Sequence, residues 1–175
     1  LETTLSSISV TNNASGNIEI VESDGIDIVT LDQDAAGDIR LTSAGATSLL
    51  DSGAGIISAG NGNTITLDIN GGASLSAFAG ISSANGDITI TADDDVLLSD
   101  VDADISSTNG DISITADSDS DNDGLGGAFT QVNGSVINSD DGTISVNADE
   151  SITLGGLTST NGANASITLV TGASV

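Results

Sequence analysis

ISSANGDITITADDDVLLSDVDAD fills residues 81–104, and ISSTNGDISITAD follows at once over residues 105–117. Ile-Ser-Ser returns, then Asn-Gly-Asp-Ile, then Ile-Thr-Ala-Asp. A chain that repeats itself at a period of about two dozen residues is an array of stacked units, none able to bury its own apolar side alone. The alternation in Asp87-Ile88-Thr89-Ile90-Thr91 and Asp111-Ile112-Ser113-Ile114-Thr115 recurs in both directions. Toward the N-terminus it is Thr64-Ile65-Thr66-Leu67-Asp68, Asp38-Ile39-Arg40-Leu41-Thr42 and Asn17-Ile18-Glu19-Ile20-Val21. Toward the C-terminus it is Thr143-Ile144-Ser145-Val146-Asn147 and Ser166-Ile167-Thr168-Leu169-Val170. Apolar and polar residues in strict alternation are the mark of a half-buried strand.

These strands recur every 21 to 26 residues or so, with one interval of about 32, which exceeds a hairpin repeat and fits one turn of a coil with three short strands and three corners. A second strand per turn is read at Ile26-Asp27-Ile28, Ser48-Leu49-Leu50, Ser74-Leu75-Ser76, Val96-Leu97-Leu98 and Ile152-Thr153-Leu154. A third is read at Ile56-Ile57-Ser58, Ile81-Ser82-Ser83, Ile105-Ser106-Ser107, Val136-Ile137-Asn138 and Leu157-Thr158-Ser159. Strands one turn apart must run parallel, about 4.8 Å from one another. Ile18, Ile39, Ile65, Ile88, Ile112, Ile144 and Ile167 then form one internal ladder. Ile20, Leu41, Leu67, Ile90, Ile114, Val146 and Leu169 form the next. Apolar residues nowhere recur at helical spacing, and Ser, Thr, Gly, Asn and Asp are poor helix formers. The reading predicts an all-β chain: a right-handed parallel β-helix (solenoid) of about six to seven turns, three short strands per turn. Residues 1–175 form one unit, with an acidic insertion loop at 117–127.

The 26 acids face a single base, Arg40, for a formal charge of −25. That argues against nucleic acid, whose phosphates need clustered Lys and Arg, and against anionic membrane. No apolar run approaches the length of a membrane span. Metal cations are the natural counterions. The chain has no Cys, hence no disulfide framework. It has two Phe and no Trp or Tyr, which suits a narrow aliphatic core. Leu1 stands where a Met would begin a nascent chain. Leu5 to Val10 and Ile167 to Val175 are both still in strand pattern. The expectation is a mature or excised piece of a longer rod, or a subunit whose open ends are covered by neighbours.

The pattern Gly-Asp-Ile-x-Ile-x-Ala, then Val-x-Leu, then Ile-Ser-Ser-x-Asn, best seen over residues 81–116, resembles the repeats of filamentous-haemagglutinin-like and other giant bacterial surface adhesins. The resemblance implies a secreted, long, right-handed parallel β-helix acting as a stalk or adhesive fibre. The function expected is a structural segment of an extracellular, cell-surface fibre, stalk or adhesin, stiffened by calcium at its acidic corners. Its partners would be copies of itself or adjoining repeats end to end, and host or surface glycans.

Calcium enters because oxygen-rich, nitrogen-poor sites suit Ca2+. Asp93, Asp117 and Asp149 each lie five residues after the ladder Ile of their turn and are expected at one corner. Asp38, Asp87 and Asp111 directly precede that Ile and are expected at another. Two unit charges about 4.8 Å apart repel by roughly 0.9 kcal/mol in bulk water, so such columns would call for cations or salt. The sharpest candidate is Asp117-Ser118-Asp119-Ser120-Asp121-Asn122-Asp123-Gly124. Asp119, Asp121, Asp123 and Gly124 match the first, third, fifth and sixth positions of an EF-hand loop, but Thr130 stands at the twelfth and no helix flanks it. Asp93-Asp94-Asp95 and Asp100, Asp102 and Asp104 are weaker candidates, best read as solvated corners.

Catalysis is not expected. Any pair of Asp residues could imitate the carboxylates of a polysaccharide-cleaving β-helix, and nucleophilic triads need a His or Lys that the chain lacks. Ice or glycan binding is the alternative. Thr89-Ile90-Thr91 suits a flat hydroxyl row, but Glu19, Val21, Arg40 and Asp68 interrupt it. Asn13-Ala14-Ser15, Asn133-Gly134-Ser135 and Asn164-Ala165-Ser166 fit the glycosylation pattern, as chance would supply in so Asn- and Ser-rich a chain.

Overall fold

A strand sends alternate side chains to opposite sides, so each short alternating run has one apolar side to bury. The structure, a computed structural model, does this by winding the chain into a parallel β-solenoid. It describes residues 2–3, 5–51, 57–59, 62–119, 126–160 and 167–172. Among the described residues every regular element is a strand, and none is a helix long and apolar enough to cross a membrane.

The first face is an eight-stranded sheet of Glu2–Thr3, Ile18–Glu22, Ile39–Ser43, Ile65–Ile69, Ile88–Ala92, Ile112–Ala116, Ile144–Ala148 and Ile167–Thr171. The second face stacks Thr47–Leu49, Leu75–Ala77, Val96–Leu98, Phe129–Gln131 and Ile152–Thr153. The third stacks Ile57–Ala59, Ile81–Ser83, Ile105–Ser107, Ile137–Ser139 and Leu157–Ser159. The strand Ile26–Gln33 serves both at once. Ile26 to Ile28 pair with the second face, and Leu31 to Gln33 with the third. The corner between these two faces is therefore absent in the first coil. Ser7–Asn12 lies on the same long strand, with a register shift between Ile8 and Ser9.

Both expected ladders are present. Ile88 pairs with Ile65 on one side and Ile112 on the other, while Ile90 pairs with Leu67 and Ile114. Burying each such side chain contributes about 1.5–3 kcal/mol. In the last strand Ile167 and Leu169 hold the same two columns but are 45% and 44% exposed. A third inward column, not read from the sequence, holds Glu22, Ser43, Ile69, Ala92, Ala116 and Ala148. Its alanines suit the tapering space where two faces meet.

The second strand of the fifth coil, Phe129–Gln131, was also missed by the sequence reading. Phe129 fills the Val96 column and is fully buried. Ile56 of the expected third strand and residues 120–125 of the expected insertion lie outside the described residues.

Candidate functional site: the acidic corners

At the corner between the third and first faces, one column runs Asn17, Asp38, Thr64, Asp87, Asp111, Thr143. Each step except that from Thr64 to Asp87 carries a hydrogen bond to a side chain of the coil before. Asp38 N donates to Asn17 Oδ1 (2.9 Å) and Thr64 N to Asp38 Oδ1 (2.9 Å). Asp111 N donates to Asp87 Oδ1 (2.9 Å). Thr143 donates from N (2.7 Å) and Oγ1 (2.9 Å) to Asp111 Oδ1. Asp38, Asp87 and Asp111 thus each accept from a backbone N–H of the following coil. A charge-assisted N–H bond is stronger than a neutral one and offsets the repulsion between neighbouring carboxylates.

The other corners reuse the device. Asp95 Oδ1 accepts from Ala128 N at 2.9 Å, and Asp104 Oδ1 from Val136 N at 2.7 Å. Asp94 Oδ2 accepts from Ser74 Oγ at 2.8 Å. Asp102 N turns back to Asp100 Oδ1 at 3.1 Å.

The proposed calcium ligands divide. Asp93 Oδ1 accepts from Ser118 Oγ (2.8 Å), and Asp93 Oδ2 from Gly72 N (3.4 Å). Asp117 does not stack on Asp93 as expected. It takes a positive φ of 61° and donates its N–H to Asp94 O, while Ser118 N bonds Ala92 O. One residue has been inserted, and Ser118 occupies the place over Asp93. Asp117 and Asp149 instead flank Gly127. A Cβ there would sit 2.8 Å from Cβ of Asp117 and 3.4 Å from Cβ of Asp149. Asp119 is exposed, and Asp121 and Asp123 lie outside the described residues. Among the described residues no three acidic side chains converge as a metal site would require.

The inward polar side chains carry another inter-coil device. Ser83 Oγ donates to Asn63 O (3.0 Å), Ser107 Oγ to Gly86 O (2.9 Å), and Ser139 Oγ to Gly110 O (3.0 Å). The same three oxygens accept from Gly86 N, Gly110 N and Gly142 N at 2.8, 2.9 and 2.9 Å. In the earlier coils, amides do this work. Asn63 Nδ2 donates to Ala35 O, and Gln33 Nε2 to Ala14 O and Ala35 O. The parity of the alternation could have found them, since Ser83 lies two residues after inward Ile81.

Glu22 is the one inward carboxylate in the third column, 1% exposed. Its Oε1 accepts from Ser23 N (3.0 Å) and its Oε2 from Leu5 N (3.2 Å). A side-chain hydrogen bond to Glu22 raises the pKa of Asp24 above the ordinary carboxylate value, with desolvation and the Glu22 charge adding to it. The pKa of Asp32 is raised chiefly by burial, with Asp34 adding to it. On the outer side of the first face, Asn17, Glu19, Asp38, Arg40, Thr64 and Thr66 line a shallow hollow around Arg40.

In comparisons with family models, curated proteins and solved structures, nothing matches the chain.

Proposed function

We propose that the chain is a length of rod in an extracellular bacterial fibre, stalk or adhesin, with a mechanical task. The observation that carries this reading is the unbroken register of the first face. From Ile18 to Ile167 every step from coil to coil is parallel and in step, with no residue gained or lost inside a strand. Such a stack transmits load along its axis through aliphatic columns, backbone ladders and carboxylate–amide contacts together. Pulling single molecules by their ends tests it. The reading expects resisted extension in steps of about one coil, as nearest-neighbour coupling implies; unresisted extension would sink it.

The partners under this reading are further coils laid on the ends, from adjoining repeats or another copy, and surface glycans for an adhesin. Calcium belongs to the same proposal, at Asp117, Asp119, Asp121 and Asp123, with Asp93 and Asp149. Its support is the spacing of those acids in the sequence. A thermal melt with and without EGTA tests it separately, and an unmoved transition would remove the ion while leaving the rod.

Ice binding is a second reading. The register aligns Thr66, Thr89, Ser113, Ser145 and Thr168 in one outward row. A measurement of thermal hysteresis decides it.

A further inference from the structure

An Asn followed by Gly readily loses ammonia, because the Gly nitrogen can attack the Asn side-chain carbonyl with no Cβ in the way. Asp-Gly closes the same ring by losing water. The chain has Asn85-Gly86, Asn109-Gly110 and Asp141-Gly142 at the corner between the third and first faces, and Asn61-Gly62 and Asn161-Gly162 at the same point of the repeat, where Asn61, Asn161 and Gly162 lie outside the described residues. Asn133-Gly134 lies at another corner, between the second and third faces.

The first three dipeptides share one feature. The nitrogen that would attack is already engaged. Gly86 N, Gly110 N and Gly142 N each donate to a buried serine hydroxyl, at 2.8, 2.9 and 2.9 Å. Each hydroxyl is fixed in turn by its bond to a carbonyl of the preceding coil. Before such a nitrogen can lose its proton and swing toward Cγ, the corner must open. Asn109 Nδ2 is further tied to Asn85 Oδ1.

Asn133-Gly134 has none of this. Both residues are exposed. Among the described residues no side chain accepts from Gly134 N. The serine of that corner, Ser135, turns its hydroxyl to Val132 O at 3.3 Å instead. Asn70-Gly71 is intermediate, since Asn70 Nδ2 donates to Asp68 O at 3.3 Å.

We infer that Asn133 is a site of spontaneous deamidation in the folded protein, while the serine column of Ser83, Ser107 and Ser139 shields the three dipeptides it touches. Hydroxide takes the proton from Gly134 N. The nitrogen attacks Asn133 Cγ, forming an N–Cγ bond as the Cγ–Nδ2 bond breaks. Nδ2 leaves as ammonia, taking a proton from water and regenerating hydroxide. Water then opens the succinimide at either carbonyl, giving aspartate or isoaspartate. Either product adds a negative charge beside Val101, whose Cγ1 lies 3.0 Å from where a Gly134 Cβ would be. Asp100 and Asp102 flank that valine in the chain.

The test is to hold the folded chain at mildly alkaline pH and map peptides by mass and isoaspartate content. Of the three, Asn133 should react first, with Asn85 and Asn109 slower by about tenfold or more, the protection expected of a group that reacts only after local opening. In urea the three rates should converge. Ser107→Ala should speed Asn109 and leave Asn133 unchanged. Equal rates at Asn85, Asn109 and Asn133 in the folded chain would overturn the inference, and so would a folded S107A protein in which Asn109 stays slow. If S107A does not fold, the comparison of folded and urea-unfolded wild-type chain decides alone.

Discussion

Oδ1 of Asp87 lies 2.9 Å from the backbone nitrogen of Asp111, one coil further along, and accepts its hydrogen. The two residues are also joined through Ile88 N, which donates to Asp111 O at 2.8 Å. Carboxylates that would repel as bare charges are tied through an amide. The acids of this chain are thus part of its adhesion from coil to coil as well as of its surface charge.

The first prediction separates those two roles at Asp111. Asp111→Ala removes the acceptor for Thr143 N and Oγ1 and should cost about 1.5–3 kcal/mol, the range for hydrogen bonds to a charged group. Asp111→Asn keeps an oxygen acceptor, as Asn17 does for Asp38 N, and sheds one charge. It should melt within a few degrees of wild type, and relatively better in low salt, where repulsion between like charges is least screened. Thermal melts at two ionic strengths check both. An Asn variant as damaged as the Ala variant would mean the charge itself is required.

Ser107→Ala is the second. It leaves Gly110 N without its acceptor and Gly86 O without that donor, both inside the corner. The expected loss is about 1–3 kcal/mol per buried group left unsatisfied. Ser106→Ala, one residue away and outward, should stay within about 0.5 kcal/mol of wild type. Denaturant titration reads the difference. Equal effects at the two positions would show that the inward column is not stabilising.

A third concerns how closely the corners stack. A Cβ on Gly110 would lie 2.1 Å from Gly86 O, a backbone atom that cannot swing aside. Gly110→Ala should therefore cost about 3 kcal/mol or more, at the upper end of overpacking penalties. Gly62 has φ +75° but nothing within 4 Å of a Cβ, so Gly62→Ala should cost only the left-handed backbone term, about 1–2 kcal/mol. Circular dichroism melts of the two variants should rank in that order.

The fourth is a pH effect at Glu22 and Asp24. Asp24 titrates above the ordinary carboxylate value when folded, chiefly through its hydrogen bond with Glu22. A raised folded pKa means that the folded state holds the proton more tightly. Its contribution is fully present below the unfolded value, about 3.9, and is lost as pH rises through the folded pKa. Glu22→Gln should bring the Asp24 titration down toward the ordinary range, as followed by carboxyl carbon NMR. An Asp24 curve that does not move would remove Glu22 as the cause.

Much of this architecture was legible from Ile88 and Ile112. Their spacing and the alternation around them placed seven of the eight first-face strands to within a residue, all but Glu2–Thr3, because burial imposes a period of two and stacking repeats it. Phe129 escaped because the insertion before it broke the spacing that had located Val96 and Leu75. Ser107 and Glu22 escaped for a different reason. Both sit at even steps from an inward Ile, so parity points them inside, but polarity argues for solvent. Part of what satisfies them comes from far along the chain, Gly86 O for Ser107 and Leu5 N for Glu22, which no local pattern reveals. The slip at Asp117 shows only between coils, where its positive φ accompanies a bond from Ser118 to Asp93.

The direction of the Asp38, Asp87 and Asp111 contacts has one further consequence. Each side chain points its acceptor at the coil that follows, and each following coil presents the amide. The axis therefore has a head and a tail, as an arrow does. Any lengthening of such an axis joins unlike surfaces and repeats as a translation with a twist, so a two-fold, tail-to-tail pairing could not use these contacts.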